Sequence, residues 1–190
     1  MPITIPNALT ILRILLIPVL VVAFYMPLKN HFPLAAVIFA LAAATDWFDG
    51  YLARRLGQMT AFGAFLDPVA DKLMVAVALV LLVQRHETVL FTLAACVIIG
   101  REIVVSALRE WMAELGERTS VAVSYIGKVK TAFQMLAITG LLAINPDADA
   151  GWQLVFCYIV LYTAAVLTLW SMMVYLKAAW VVIKDQDNSF

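Results

Sequence analysis

Charge is what this sequence has least of. Only 14% of its 190 residues are Asp, Glu, Lys or Arg, and 64% are hydrophobic. A soluble domain averages about 25% charged and roughly 45–50% apolar residues. With a mean hydropathy of +0.95, the composition excludes a soluble globular chain and places the protein in a membrane. Neither sign of charge is in excess: 13 Lys and Arg balance 13 Asp and Glu, which removes any electrostatic case for nucleic acid. Cysteine is equally sparse. Cys96 and Cys157 both lie inside apolar runs, where a thiol is expected as a buried small hydrophobe, not a disulfide half or metal ligand. The start, MPITIPNALTILR, lacks a basic n-region before an apolar core and a small-residue cleavage site. The first apolar run is therefore expected to stay as a span. Low-complexity tracts and convincing repeats are missing too, so residues 1–190 are expected to form one membrane domain.

What is present is a series of apolar runs. A spanning helix needs about 20 mostly apolar residues. Six runs qualify as candidates, at about 8–25, 33–56, 64–83, 88–108, 127–144 and 152–183. The expected fold is all-α, an integral membrane protein of six transmembrane helices. Residues 1–7, apolar and proline-broken, are expected to lie along the interface. The linkers alternate in charge. Residues 26–32 and 84–87 hold Lys29 and Arg85 as their only Lys or Arg, and 145–151 hold no Lys or Arg. The other side carries Arg54, Arg55, Arg109, Arg118, Lys128, Lys130, Lys177 and Lys184. The positive-inside rule puts that set, and both termini, in the cytosol. Residues 109–117 read as a helical continuation beyond the fourth span, with Gly116 suited to end it.

Against that background one stretch stands out. DWFDGYLARRLGQMTAFGAFLDPVAD, residues 46–71, holds Asp46, Asp49, Asp67 and Asp71. Spacings of three and four put each pair on one helix face. Two such pairs facing each other make a four-carboxylate cup near the cytosolic membrane boundary. Four anions that close need cations, and hard oxygen donors suit divalent metal. Ionisable residues at membrane depth are costly to hold and mark function by default. Gly50 and Gly63 leave room for a ligand to approach the backbone, and Arg54 suits a phosphate. Pro68 directly after Asp67 predicts a helix start there, with Asp67 as N-cap and Pro68 at N1. Taken singly, each residue has a plainer explanation: a cap for Asp67, helix packing for the glycines. Four carboxylates, two glycines and an arginine at helical spacing do not.

Asp49-Gly50-x-x-Ala53-Arg54, then eight residues, then Gly63-x-x-x-Asp67-x-x-x-Asp71 resembles the signature of the CDP-alcohol phosphatidyltransferases at every fixed position. Asp46 matches the extra upstream aspartate usual in that family. The resemblance implies transfer of a phosphatidyl or phosphoalcohol group from a CDP-linked donor to an alcohol, with release of CMP and dependence on Mg²⁺ or Mn²⁺, expected as two ions. It implies Asp46, Asp49, Asp67 and Asp71 as metal ligands, Asp71 also as general base, and Asp67 within the catalytic set. It further implies Asp46, Asp49, Gly50, Ala53, Arg54, Thr60, Gly63 and Asp67 around the CDP group. A homodimer in a bacterial cytoplasmic membrane, with its active site facing the cytosol, completes the expectation.

The acceptor is expected to be read elsewhere. Glu102, Ser106 and Arg109 share one helical face, with Arg101 about 100° away. Lys128, Lys130 and Thr131 open the fifth run. Arg101, Arg109, Arg118, Lys128, Lys130 and Thr131 are the expected acceptor-binding residues, because several cations beside metal-loaded carboxylates suit a second phosphate. Membrane anchoring by basic residues is the plain alternative for some of them, and an Arg101–Glu102 or Arg101–Asp pair for Arg101. Pro6-Asn7-x-Leu9-Thr10-x-x-Arg13, Gly100-Arg101-Glu102 and Gly127-Lys128-x-Lys130-Thr131 are similar to bacterial family members that use CDP-diacylglycerol and sn-glycerol 3-phosphate on the way to phosphatidylglycerol and cardiolipin. Asn7, Thr10, Arg13 and Glu102 join the candidate site on that basis. Helix capping by Asn7 and interfacial snorkelling by Arg13 are their plain alternatives. Serine, inositol phosphate or phosphatidylglycerol as acceptor are competing expectations. A divalent-cation transporter using the aspartates as a permeation site competes from another class.

Overall fold

Six helices follow one another, with no strand among the described residues: α1 (Ile5–Tyr25), α2 (His31–Leu56), α3 (Ala61–His86), α4 (Val89–Glu114), α5 (Tyr125–Ala143) and α6 (Gly151–Asp187). The structure is a computed structural model. It describes residues 5–27, 31–56, 60–114, 125–145 and 151–187, and their side chains except at 5–6, 31, 46–56, 61, 64, 125–128, 181–183 and 185–187. The six-helix reading holds. Stretches Asn7–Tyr25, Val89–Glu114 and Gly151–Trp180 are long and apolar enough to cross a membrane, while α2 and α5 contain shorter apolar stretches, Phe32–Thr45 and Val129–Ala143. α2 gives its remaining turns to Asp46, Asp49 and the arginines, and α3 carries Asp67, Asp71 and Lys72 among apolar residues.

α1 already begins at Ile5, so residues 5–7 form its first turn and run on without a break into the first span. Pro6 fits there because a first-turn residue has no intrahelical use for its N–H. Residues 1–4 lie outside the described residues. At the same end of the bundle α4 continues to Glu114, as the polar continuation beyond the fourth span predicted. Gly116 lies outside the described residues.

The packing is that of a membrane bundle. Small residues meet between helices: Ala35, Ala42, Ala78, Ala95 and Ala164 are almost fully buried. Large apolar side chains face outward, among them Leu12, Leu15, Val19 and Val22 of α1 and Val155, Ile159, Val166 and Trp170 of α6. In lipid this costs nothing, since the tails are as apolar as leucine, and helix association then rests on close approach of small residues and on polar contacts. α1 packs on α2 and α3, α5 on α2 and α6, and α4 on α3 and α6. α3 meets α2 and α5 over short stretches only. At the end away from the aspartates, Arg85 lies over the rings of Phe24 (3.9 Å) and Phe32 (4.3 Å). His86 Nδ1 and the Tyr158 hydroxyl share a 2.7 Å hydrogen bond. α1, α2, α3 and α6 are therefore tied together at that end.

The two thiols part company. Cys157 is buried as expected, but Cys96 is exposed on α4, facing where lipid would lie. Cys157 fills a notch at Gly140: a Cβ there would stand 2.6 Å from Cys157 Sγ. Gly140→Ala is expected to lower thermal stability in detergent by about 1–3 kcal/mol. Adding Cys157→Ala should restore part of that loss. Additive losses in the double variant would show that the glycine does not serve this contact.

Candidate active site

The site grows from the packing of α1 on α3. Asn7, Thr10 and Arg13 recur every third residue along α1, so they form one polar stripe. All three are buried, Arg13 to 1% exposure. Opposite them on α3 stand Thr60, Gly63, Asp67 and Asp71, and the two rows meet rung by rung. The Thr60 hydroxyl donates to Asn7 Oδ1 at 2.9 Å. The Thr10 hydroxyl donates to Asp67 Oδ1. Arg13 Nη1 pairs with Asp71 Oδ1. Arg13 is thus no snorkelling residue, because a carboxylate inside the bundle gives its guanidinium a better partner than the interface. Nor does Asn7 cap a helix, since α1 starts before it.

The start of α3 is corrected as well. Asp67 is not its N-cap. Thr60 is, with extended φ −116° and ψ 149°, and its hydroxyl accepts from the Gly63 N–H at 3.0 Å. Pro68 lies inside the helix, withholding one N–H while the helix runs on through it. The Asp67 carboxylate is thereby freed from capping and aimed at Thr10. Gly63 is a point of close approach, and what approaches it here is Asn7: a Cβ at Gly63 would stand 2.5 Å from Asn7 Oδ1.

On the far side of Asp67 and Asp71, α3, α4 and α5 separate around a cleft of about 520 Å³. That lies within the usual range of small-molecule sites, about 300–1,000 Å³. α3 lines it with Asp67, Pro68, Asp71, Lys72 and Val75. α4 contributes Arg101, Glu102, Val105, Ser106 and Arg109, and α5 contributes Thr131, Gln134 and Met135. Arg101 therefore does not point away from Glu102, Ser106 and Arg109. A step of 100° between neighbours is narrower than the face that α4 turns to the cleft.

The cations are held on a fixed frame. Glu102 Oε1 receives Lys130 Nζ at 2.5 Å and Arg101 Nη1 at 3.4 Å. Lys130 is buried to 1% and stands behind Glu102. Arg101 Nη2 donates to Ser171 Oγ at 3.2 Å. The Tyr175 ring of α6 lies 5.6 Å from Arg101 Cζ and 5.2 Å from Arg109 Cζ, and its hydroxyl accepts from Arg109 Nη2 at 3.1 Å. One carboxylate thus collects two cations, and one aromatic ring steadies two guanidinium groups. Lys72 Nζ donates to Ser106 Oγ. Lys72 and Gln134 were not singled out from sequence. Their signals were nonetheless present: Lys72 follows Asp71 inside an apolar run, and Gln134 falls one turn beyond Lys130 and Thr131.

Asp46, Asp49, Gly50, Ala53 and Arg54 fall on α2, but their side chains lie outside the described residues, as does that of Lys128. Arg118 lies wholly outside them. Among the described residues no three His, Cys, Asp or Glu side chains cluster closely enough to hold a metal. Asp67 and Asp71 supply two hard oxygen-donor groups one helical turn apart on the same cleft, a donor set that fits Mg²⁺ or Mn²⁺.

The model of the CDP-alcohol phosphatidyltransferase family matches residues 3–183. A Pseudomonas fluorescens protein named CDP-diacylglycerol–glycerol-3-phosphate 3-phosphatidyltransferase is 60% identical over 185 residues, covering 97% of this chain and 94% of its own length. Proteins of the same name from Yersinia pestis (strain Pestoides F) and Sodalis glossinidius (strain morsitans) are each 56% identical. They cover 95% and 94% of this chain, and 97% and 96% of their own lengths.

The rung between α1 and α3 is open to test. Thr10→Val removes a hydroxyl from a charged acceptor at almost constant shape, a contact worth about 1.5–3 kcal/mol. In a double-mutant cycle with Asp67→Ala, which removes the acceptor, unfolding in detergent should show a coupling of that order. Zero coupling would mean that the hydroxyl does not act on this carboxylate.

Proposed function

This chain belongs to the CDP-alcohol phosphatidyltransferase family, and we propose that its cleft transfers the phosphatidyl group of CDP-diacylglycerol to sn-glycerol 3-phosphate, giving phosphatidylglycerophosphate and CMP. The observation that carries this is the joining of two charge types in one cavity. Asp67 and Asp71 line one wall, and Lys72, Arg101 and Arg109 line the same cleft. A neutral acceptor such as serine has no use for so many cations, whereas a phosphorylated alcohol does.

Each residue has a task. Asp46, Asp49, Asp67 and Asp71 would hold one or two Mg²⁺ or Mn²⁺ ions, which neutralise pyrophosphate charge when bound. Gly50, Ala53, Arg54, Thr60 and Gly63 would border the CDP group. Asp71 takes the proton from the 1-hydroxyl of the acceptor, whose oxygen attacks the phosphorus bearing diacylglycerol. The bond from that phosphorus to the CMP oxygen breaks, and CMP leaves with its electron pair. Arg13, on Asp71 Oδ1, holds the base in orientation. Arg101, Arg109 and Lys72, with Arg118, Lys128 and Thr131, receive the acceptor phosphate, while Lys130 and Glu102 brace Arg101. A divalent-cation pathway has no use for that array of cations, whereas transfer to a phosphorylated acceptor accounts for them.

The alternation of charge between linkers supports a cytosolic cleft and cytosolic termini in the bacterial inner membrane. One domain over the chain and a homodimeric assembly complete the proposal, the latter resting on the family resemblance. Light scattering of the purified protein in detergent measures that assembly directly.

Purified protein supplied with CDP-diacylglycerol and Mg²⁺ or Mn²⁺ should release CMP fastest with sn-glycerol 3-phosphate. A clear preference for serine or inositol phosphate would overturn the acceptor assignment. Asp71→Asn should lower turnover about 10²–10⁴-fold, the usual range for a lost general base. Unaltered turnover in both Asp67→Asn and Asp71→Asn would remove the aspartates from the chemistry.

A further inference from the structure

Among the described residues, Gln134 is the one long neutral amide on the wall of the cleft. It is exposed to only 2%, and its Oε1 has no hydrogen-bond partner among the described residues. A buried polar atom left unsatisfied costs about 1–3 kcal/mol, and native structures retain few of them. Burial inside α5 alone gives no reason for an amide here. An apolar residue of similar size, like Met135 beside it, would fill the space without that cost. The oxygen has less than 1 Å² of accessible surface, and because a glutamine's terminal torsion is broad the carboxamide can turn onto a group bound in the cleft, which would relieve that cost.

The cleft's charges narrow what that is. The phosphate of an acceptor has Lys72, Arg101 and Arg109 to meet it. The reacting hydroxyl belongs near Asp71. sn-Glycerol 3-phosphate has one polar group left, the hydroxyl on carbon 2, midway between its phosphate and its reacting end. A hydroxyl both donates and accepts, so it satisfies a carboxamide in either orientation. Gln134 sits one turn along α5 from Thr131, sharing the wall opposite α3 and α4. We propose that Gln134 is a specificity-determining residue, whose carboxamide hydrogen-bonds the carbon-2 hydroxyl of the acceptor and rejects acceptors that lack it. A site built to pair a substrate hydroxyl discriminates against the analogue without one because its own polar group is then left unpaired.

The inference rests on the acceptor assignment above, and the test separates the two. Full-length protein reconstituted in liposomes with CDP-diacylglycerol is given either sn-glycerol 3-phosphate or propane-1,3-diol monophosphate, which lacks only the carbon-2 hydroxyl. CMP release is measured for the wild type and for Gln134→Met, a variant close in length. The wild type should favour sn-glycerol 3-phosphate about tenfold or more in kcat/KM. Gln134→Met should lose about tenfold on that acceptor, change less than about twofold on the analogue, and leave the KM for CDP-diacylglycerol in place. Should the analogue bind without turning over, its inhibition constant enters the same comparison. Equal losses on both acceptors, or no loss on either, overturn the role of Gln134. A wild type that ignores sn-glycerol 3-phosphate while using another alcohol overturns the acceptor assignment instead. Gln134→Leu serves the same comparison if Gln134→Met does not accumulate in the membrane.

Discussion

A guanidinium and a carboxylate facing each other between α1 and α3 organise this protein. Arg13 is buried to 1%, in a bundle whose surroundings are apolar. A charge there is affordable only beside a partner of opposite sign and in a network of hydrogen bonds. Asp71 provides the charge, and the Thr10–Asp67 and Asn7–Thr60 rungs continue the network toward the helix start. The register of α1 against α3 follows from it, because sliding one helix by a turn would leave either Arg13 or Asp71 without its charged partner. The two aspartates are set by the same contacts that hold the fold.

That arrangement also explains why the cleft is open. α1 and α4 flank α3 along its length, but α5 meets it only over a short stretch. The space left between α3, α4 and α5 carries polar side chains on all three walls, among apolar ones. α6 takes no part in lining it, yet Ser171 and Tyr175 steady Arg101 and Arg109 from behind. The cations therefore stand in a preorganised array, which lowers the cost of ordering them around an anion.

The sequence carried different parts of this with different fidelity. The six helices were legible because twenty-residue apolar runs need no tertiary information. Their ends were less so. Pro68 after Asp67 read as a helix start, but Thr60 capped the helix earlier and the helix carried the proline inside it. The Asp67 and Asp71 pair was legible from its spacing. Gln134, one turn beyond Lys130 and Thr131, and Lys72, next to Asp71, carried weaker signals, since neither spacing tells which neighbouring helix the side chain faces. Arg13 read as a candidate site residue or, equally, as an interfacial anchor, because its carboxylate lies 58 residues away along the chain.

By itself the sequence determined that the chain lives in a membrane, that it is helical, and that two pairs of aspartates stand at one-turn spacing with glycine and arginine around them. These are local properties, set by composition and by 3.6-residue periodicity. Only the tertiary structure decided what faces each residue: that Asn7 occupies the space at Gly63, that Glu102 gathers Lys130 and Arg101, and that α3, α4 and α5 part around the aspartates. Contacts between distant helices depend on which small residues permit close approach and which buried charges must find one another. Periodicity within one helix carries no record of either.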